Sequence, residues 1–372
     1  MKVPFFDFNQ APNSLKIEWR DAIERVIGSG QFIGGLEVTN FEKSWANYLE
    51  TENAIGVANG LDAIILGLRA LNIGPGSIVA IPSHTFIATW LAVDAVGATP
   101  IGIDCDSNGL MNLDLLEMIE KSIDAVIPVH MHGQMVNMER LSRWAILNEV
   151  RIIEDCAQAH GAEIHGRLAG SWGDIGAFSF YPTKNLGALG DGGIIVARDL
   201  ELARRVRSLG NYGSKQSNKY AYSRKGVNSR LDPLQAAVLG VNLKYLDTWN
   251  ARRREIASEF ISAFSRVGIR LLVTKPEESV WHHFIVLAEN RDLARTALES
   301  LGVFTEIHYP ECAEDSYAGI STHQSSQPEI ARWLAQRTLS LPISPWMSDA
   351  QVTHVLDSMT SSNVLRNIQG TI

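Results

Sequence analysis

Lys184 lies in a segment whose composition suits amine chemistry. It comes shortly after the apolar run Ala177–Phe180, and four glycines follow it between positions 187 and 193. Glycines let the backbone approach a ligand closely. A lysine amine becomes a nucleophile when burial or a nearby cation lowers its pKa, and it then forms a Schiff base with an aldehyde. A surface lysine is the ordinary alternative, but such lysines are seldom framed in this way.

Asp155 and Gly60 offer two further polar groups next to predicted strands. Asp155 follows the strand Ile152–Glu154, and ligands of parallel sheets bind beyond the carboxyl ends of strands. A partly desolvated carboxylate there needs a cationic partner to stay ionised, although an Asp satisfied within the fold fits these residues equally. Gly60 lies between the strand Ala54–Ala58 and a helix, where free backbone N–H groups attract an anion. A plain N-cap turn would also explain Gly60.

Taken together, the three positions match the polar groups of one ligand. Lys184 would bind an aldehyde, Asp155 a protonated ring nitrogen and the Gly60 turn a phosphate. Pyridoxal 5′-phosphate (PLP) carries these three groups, and its ring is an electron sink while the nitrogen stays protonated. The combination predicts a PLP-dependent enzyme far more specifically than any one position does.

The elements that would position these groups alternate between strand and helix patterns. Alternation of this kind predicts an α/β fold with a mostly parallel sheet covered on both faces. The predicted strands are Ala54–Ala58, Ile78–Ile81, Thr99–Ile103, Ala125–Val129, Ile152–Glu154, Ala177–Phe180 and Ile194–Val196.

After Val196 the pattern changes, and a second, smaller unit is predicted. A helical stretch over Pro233–Phe264 links the two units. We expect an N-terminal arm and large domain over residues 1–245 and a small α+β domain, with the linking helix, over 246–372. The small domain is predicted from strands Val280–Leu287 and Val303–His308 and from helices Asp292–Leu301, Gln327–Leu339 and Asp349–Thr360.

The composition argues against several classes of protein. The chain has 372 residues, 45% of them hydrophobic, and a net charge of −8, which opposes binding to nucleic acid or to anionic membranes. Its three cysteines form no C-x-x-C pair, so neither a disulfide framework nor a zinc site is predicted, and no metal is expected. No secretory signal or spanning helix is predicted, which favours the cytoplasm.

Most of the chain resembles one family of PLP enzymes. Matching segments include residues 59–63, 82–86, 128–130, 154–161, 179–193 and 226–237. In this order they are similar to the sugar-nucleotide aminotransferases of the DegT/DnrJ/EryC1/StrS family. The resemblance implies the type I fold of aspartate aminotransferase, with a large domain built on a mostly parallel seven-stranded sheet. It also implies PLP as cofactor and a homodimer with composite active sites.

The resemblance also implies roles for single residues. Lys184 would bind PLP covalently and carry the proton, and Asp155 would pair with the ring nitrogen. Phe86 would stack on the ring, and Gln158 would contact its phenolic oxygen. The phosphate would be held by Gly60 and Leu61, whose backbone donors remain although many relatives have Thr or Ser at position 61, by Ser179, and by Asn228 of the other subunit. The substrate contacts implied are Lys219, Tyr181, His308 and Arg230.

Within the family, residues 211–214, 219–220, 281–282 and 307–310 are similar to the branch that aminates C3 of dTDP-3-keto-6-deoxyhexoses. L-Glutamate is the expected donor, and the products serve surface polysaccharides such as O-antigen and glycosylated natural products. After Pro310 the sequence departs from the expected Pro- and His-rich continuation.

Three rival functions stay open. The first is C4 amination of a dTDP- or GDP-4-keto-6-deoxyhexose, which uses the same chemistry. The second is a deoxysugar dehydratase on the same fold, in which a histidine replaces the lysine, so Lys184 argues against it. The third is a PLP-binding regulator without turnover.

Overall fold

The structure, a computed structural model, describes residues 1–120, 122–215, 218–273, 277, 279–316 and 327–370, and the side chains of 218 and 219 are outside this description. The strands are β1 (Ala54–Val57), β2 (Ile78–Pro82), β3 (Thr99–Ile103), β4 (Ala125–Val126), β5 (Arg151–Asp155), β6 (Glu163–Ile164), β7 (Arg167–Leu168), β8 (Ile175–Ser179), β9 (Gly193–Ala197), β10 (Ser214–Lys215), β11 (Asn218–Tyr222), β12 (Arg270–Leu271), β13 (Phe284–Leu287) and β14 (Thr338–Leu341).

The helices alternate with these strands through the first half of the chain. They are α1 (Asn13–Ser29), α2 (Leu36–Tyr48), α3 (Gly60–Ala70), α4 (Ala88–Ala95), α5 (Leu113–Glu117), α6 (Met138–Leu147), α7 (Leu200–Gly210), α8 (Pro233–Asn242), α9 (Leu246–Arg266), α10 (Arg291–Ser300), α11 (Ala313–Ser316), α12 (Glu329–Arg337), α13 (Asp349–Thr360) and α14 (Ser362–Gln369). Short 3₁₀ turns cover Phe8–Gln10, Met131–Gly133 and Leu243–Tyr245.

A seven-stranded sheet forms the centre of the larger unit, in the order β1-β9-β8-β5-β4-β2-β3. Its pairs are parallel except those that β9 makes with β1 and β8. Along β9, Ile194 and Val196 enter one core cluster while Ile195 and Ala197 enter another on the opposite face. This alternation follows from the two-residue period of a strand. All seven predicted runs form strands of this sheet, which confirms the predicted α/β class.

The strand β4 is shorter than predicted. Pairing stops after Val126, and beyond it only an isolated bridge joins Val129 to Asp155. Pro128 lies between them and has no N–H to donate to the sheet. The parallel strands still end along one edge, where Thr89 contacts Asp155 at the end of β5 and Ser179 at the end of β8 lies against Gly60.

A third core cluster, around a three-stranded sheet ordered β12-β13-β14, forms the smaller unit. Val3, in the N-terminal arm, is buried in this cluster and bridges to Val303. The predicted strand Val303–His308 is wrong, since only isolated bridges at Val303 and Glu306 form there. Thr338–Leu341 forms the third strand instead, where a helix was predicted to continue to Leu339.

The predicted helix over Pro233–Phe264 is divided in two by a 3₁₀ turn. Asn242 is the last residue of α8, before this turn. Its side chain accepts a hydrogen bond from Trp19 Nε1 at 2.7 Å and donates one to the carbonyl of Gly187 at 2.8 Å. In the described part of the chain, no helix is long and apolar enough to cross a bilayer.

Candidate active site

The N-terminus of α3 lies directly against the end of β8. Asn59 caps the helix, and its side chain accepts the N–H of Asp62 at 2.8 Å. A β-carbon on Gly60 would lie 2.7 Å from Cβ of Ser179, so only glycine allows this approach. The first-turn N–H groups of Gly60 and Leu61 have no acceptor within the described chain, and the half-buried Ser179 lies beside them. The cradle suits a phosphate.

Asp155 ends β5 and is buried, with 6% of its surface exposed. Its Oδ1 accepts the N–H of Ala157 at 3.1 Å, and its Oδ2 accepts the hydroxyl of Thr89 at 2.9 Å. Burial raises the pKa of Asp155, while these two donors and the charge of Lys184 partly oppose the shift. The carboxylate therefore has unused acceptor capacity and is short of positive charge, as a partner for a protonated ring nitrogen should be.

Lys184 is half-buried in the loop between β8 and β9. Loss of solvent lowers the pKa of its amine to about 8, and the charge of Asp155 opposes this shift only in part. The following residue fixes the loop, because the amide of Asn185 donates to Asn250 Oδ1 and to the carbonyl of Val280, both at 2.8 Å. With a pKa of about 8, roughly a tenth of the amine is neutral and nucleophilic at pH 7.

Gln158 and Phe86 both contact Tyr309, which lies in the segment 307–310 similar to the C3-aminating branch but had no predicted role in the site. The amide of Gln158 donates to the hydroxyl of Tyr309 at 3.0 Å, and the ring of Phe86 lies 5.5 Å from that of Tyr309. The charge of Asp155 raises the pKa of Tyr309, after burial itself, so the two groups are close. Phe86 is 54% exposed, which leaves its ring available to a ligand.

The predicted substrate contacts fall into two groups. Tyr181 is exposed two residues after Ser179, and His308 is half-buried beside Tyr309. Arg230 instead donates to Asn211 Oδ1 at 3.1 Å, and Asn228 is exposed and forms an isolated bridge with Asn211. Among the described residues, no hydrogen bond or ring contact joins Asn228 or Arg230 to Lys184, Asp155 or Ser179. Lys219 lies in β11, and its side chain is outside the described residues.

Thr89 and Tyr309 were missed by the reasoning from sequence. Thr89 is a buried hydroxyl in an apolar helix, one turn after Thr85, and that spacing was a usable signal. Tyr309 contacts Gln158 across 151 positions of the chain, so no local pattern shows their proximity.

A family model described as the DegT/DnrJ/EryC1/StrS aminotransferase family matches residues 13–360. The chain belongs to this family. It is 45% identical to dTDP-3-amino-3,4,6-trideoxy-alpha-D-glucose transaminase of Streptomyces venezuelae over 366 residues, covering 96% of this chain and 95% of that protein. It is 44% identical to dTDP-3-amino-3,6-dideoxy-alpha-D-galactopyranose transaminase of Aneurinibacillus thermoaerophilus, with 96% and 98% covered. The crystal structure of S. venezuelae DesV with a ketimine intermediate superposes with a TM-score of 0.91 at 44% identity, covering 96% and 97% of the two chains.

Membership of the DegT/DnrJ/EryC1/StrS family confirms the type I fold and an aminotransferase activity that depends on PLP. The geometry fits the cofactor. The cradle of Gly60 and Ser179 would hold its phosphate, Asp155 its ring nitrogen and Lys184 its aldehyde, while Phe86 and Gln158 would contact the ring and its phenolic oxygen.

Proposed function

We propose that this enzyme transfers the amino group of L-glutamate to C3 of a dTDP-linked 3-keto-6-deoxyhexose. The products would be a dTDP-3-amino-3,6-dideoxyhexose and 2-oxoglutarate. The observation that carries the proposal is the half-buried amine of Lys184, with its pKa lowered to about 8, electrostatically coupled to Asp155 at the carboxyl edge of the sheet. Relatives named as transaminases of dTDP-3-amino sugars support the choice of nucleotide and carbon.

The side chains at the edge of the sheet would divide the work between binding and proton transfer. PLP supplies a carbonyl carbon that accepts the amino group and a ring that delocalises electrons. Nζ of Lys184 would remove the proton from Cα of glutamate and later deliver one to C3 of the sugar. Asp155 would keep a positive charge on the ring nitrogen, and the N–H groups of Gly60 and Leu61 with Ser179 would fix the phosphate. Gln158 would donate to the phenolic oxygen in place of the hydroxyl of Tyr309.

The working enzyme is proposed to be a homodimer with composite sites. Asn228 is exposed in the single chain, and Arg230 contacts Asn211 rather than the residues around Lys184. We propose that Asn228, Arg230 and Lys219 complete the site of the partner subunit, where Asn228 reaches the phosphate. Tyr181 and His308 would contact the nucleotide sugar from the same chain as Lys184.

The compartment of the enzyme, the use of its product and its division into domains are further proposals. The three cysteines are buried and free, which suits a reducing cytoplasm. The amino sugar would enter a surface polysaccharide such as O-antigen, or a glycosylated natural product. We retain the division into domains at residues 245 and 246.

Two assays with purified holoenzyme test the function. Addition of glutamate should remove the absorbance of the aldehyde form of the cofactor, and a dTDP-3-keto-6-deoxyhexose should restore it. With ¹⁵N-glutamate, mass spectrometry and NMR of the product should place the label on C3. Label on C4 alone, from dTDP- or GDP-4-keto sugars, would refute the proposed carbon. Absorbance that glutamate leaves unchanged would indicate the regulator.

A further inference from the structure

His132 has a backbone conformation that glycine adopts at lower cost. It lies in the 3₁₀ turn Met131–Gly133 with φ 60° and ψ 9°, in the left-handed region. The side chain is buried, with 1% of the residue exposed, and its Nε2 has no hydrogen-bond partner. A buried imidazole in a strained conformation points to a role for the side chain, because glycine would remove both costs.

The backbone of His132 joins the cofactor side of the site to the smaller unit. Its N–H donates to Oε1 of Gln158 at 2.7 Å, which orients the amide that faces Tyr309. Its carbonyl accepts the N–H of His282 at 3.1 Å and the hydroxyl of Ser279 at 3.3 Å. Glycine at this position would keep these three bonds, and also the one that the carbonyl accepts from the N–H of His283 at 3.5 Å, because none of them uses the side chain.

The side chain makes a separate connection, to His283. Nδ1 of His132 lies 3.2 Å from Nδ1 of His283. Burial lowers the pKa of both rings, so both are neutral near pH 7, and one nitrogen must donate while the other accepts. The protonation pattern of one ring therefore fixes that of the other.

His283 in turn contacts His308 through the face of its ring. The two rings are stacked, with centroids 3.8 Å apart and planes 13° apart, and Nδ1 of His308 lies 2.8 Å from Oγ of Ser340. The ring of Phe5 lies 5.7 Å from that of His308. His308 is thus held by the stacked ring of His283, by Phe5 and by the hydrogen bond to Ser340, while Nδ1 of His283 contacts His132.

We propose that the side chain of His132 is a positioning residue for the keto-sugar half of the reaction, acting through His283 on His308. This inference rests on the proposed function, in which His308 contacts the nucleotide sugar. Because the bond to Gln158 comes from the backbone, loss of the imidazole should leave the cofactor contacts and the glutamate half-reaction intact.

The test uses holoenzyme of His132→Gly and follows each half-reaction separately through the absorbance of the cofactor. The rate constant divided by the apparent Kd for the keto sugar should fall about two- to tenfold, as expected for one neutral hydrogen bond. The corresponding ratio for glutamate should change less than twofold. Equal losses in both half-reactions, or no loss with the keto sugar, would overturn the inference.

A matched control is His165→Gly. His165 is also a non-glycine residue in the left-handed region, with φ 53°, but it is exposed in the turn between β6 and β7. This variant should leave both half-reactions unchanged. His283→Phe keeps an aromatic ring against His308 and removes the nitrogen that His132 contacts, so it should show the same selective loss. The double variant should lose no more than either single variant.

A measurement without substrate separates this inference from the proposed function. Proton–carbon NMR of the imidazoles gives the pattern of ring-current shifts that the stacked ring of His283 imposes on His308, with His308→Gln to assign the signal. We expect His132→Gly and His283→Phe to change that pattern and His165→Gly to preserve it. An unchanged pattern in both variants refutes the role of His132, whereas failure of the wild type to aminate any keto sugar refutes the proposed function alone.

Discussion

Glu154 and Asp155 are neighbours on β5, yet their carboxylates accept very different sets of hydrogen bonds. Glu154 is fully buried, and its oxygens accept the N–H groups of Gly170 at 2.9 Å, Trp172 at 2.7 Å and Gly173 at 2.8 Å. Nε2 of His130 lies 3.0 Å from the same carboxylate. Asp155, on the other face of β5, accepts hydrogen bonds from just two donors in the described part of the chain, the N–H of Ala157 and the hydroxyl of Thr89.

The two carboxylates differ in how many of their acceptor positions the protein itself fills. A carboxylate has about four acceptor positions, and those of Glu154 are filled by the protein. His130, Glu154 and Cys156 bring possible metal-ligand atoms within 4.8 Å of one another, but the hydrogen bonds to Glu154 account for that group without an ion. Asp155 is left with unused acceptor positions and a raised pKa, and the proposed mechanism needs a negative charge there.

Asp155→Asn should have the largest effect. It should lower the activity and leave the stability nearly unchanged. The amide can still accept from Ala157, and its NH₂ can donate to Thr89, so the free energy of unfolding should change by less than about 1 kcal/mol. The charge on the ring nitrogen is lost, and kcat/KM should fall on the order of 10²–10³-fold. Steady-state kinetics and urea unfolding of the same preparation check both parts. Activity within tenfold of wild type would contradict the role given to Asp155.

Glu154→Gln should show the reverse pattern. One oxygen becomes an NH₂ group that faces backbone N–H donors, so at least one buried donor is left unsatisfied, at a cost of about 1–3 kcal/mol each. Urea unfolding should therefore show a clear loss of stability. Activity per folded molecule, measured below the unfolding transition, should stay within a few-fold of wild type. A loss of activity as great as that of Asp155→Asn, without a loss of stability, would erase the contrast between the two carboxylates.

The contrast shows which parts of the site the sequence can predict. Lys184, Asp155 and Gly60 are visible because each is framed by a strand and by glycines or a helix start within a few residues. The strands of the large sheet are visible because buried parallel strands are continuous apolar runs. The three backbone N–H groups that donate to Glu154 lie 16 to 19 positions further along the chain, in an irregular loop. No periodic pattern in the sequence predicts such contacts.

The smaller unit was harder to predict because short segments there satisfy two patterns. In Thr338–Leu341 the apolar residues Leu339 and Leu341 alternate with polar ones, which suits a strand, yet Leu339 also continues the stripe of α12. Pairing with β13 decides between the two. Val303–His308 has the composition of a strand, but only isolated bridges form there. Tertiary partners override local preference in both places.

The amine of Lys184 gives a pH test of the same carboxylate edge. Its pKa in the folded apoprotein is about 8, below the ordinary 10.5, so between these pH values the unfolded chain binds more protons than the folded one. The free energy of unfolding of the apoprotein should therefore rise with pH in that window, by at most about 1.4 kcal/mol per unit. The difference between wild type and Lys184→Met, from urea unfolding at pH 8 to 10, isolates this group. A flat difference would show that Lys184 is not desolvated.

Thr89→Val should have the smallest effect and tests whether the donors of Asp155 matter. The hydroxyl of Thr89 donates to Oδ2 at 2.9 Å, and this bond opposes the rise in the pKa of Asp155. Its loss should lower kcat/KM about two- to tenfold, as for one hydrogen bond, and should move the acidic limb of the pH profile to higher pH. Thr85→Val is the matched control, because Oγ1 of Thr85 lies 3.2 Å from Oγ1 of Thr89, and it is Thr89 that donates to the carboxylate. The control should change kcat/KM less than twofold and leave the acidic limb in place. Equal shifts in both variants would mean that general packing of α4, rather than the bond to Asp155, sets the pKa of that carboxylate.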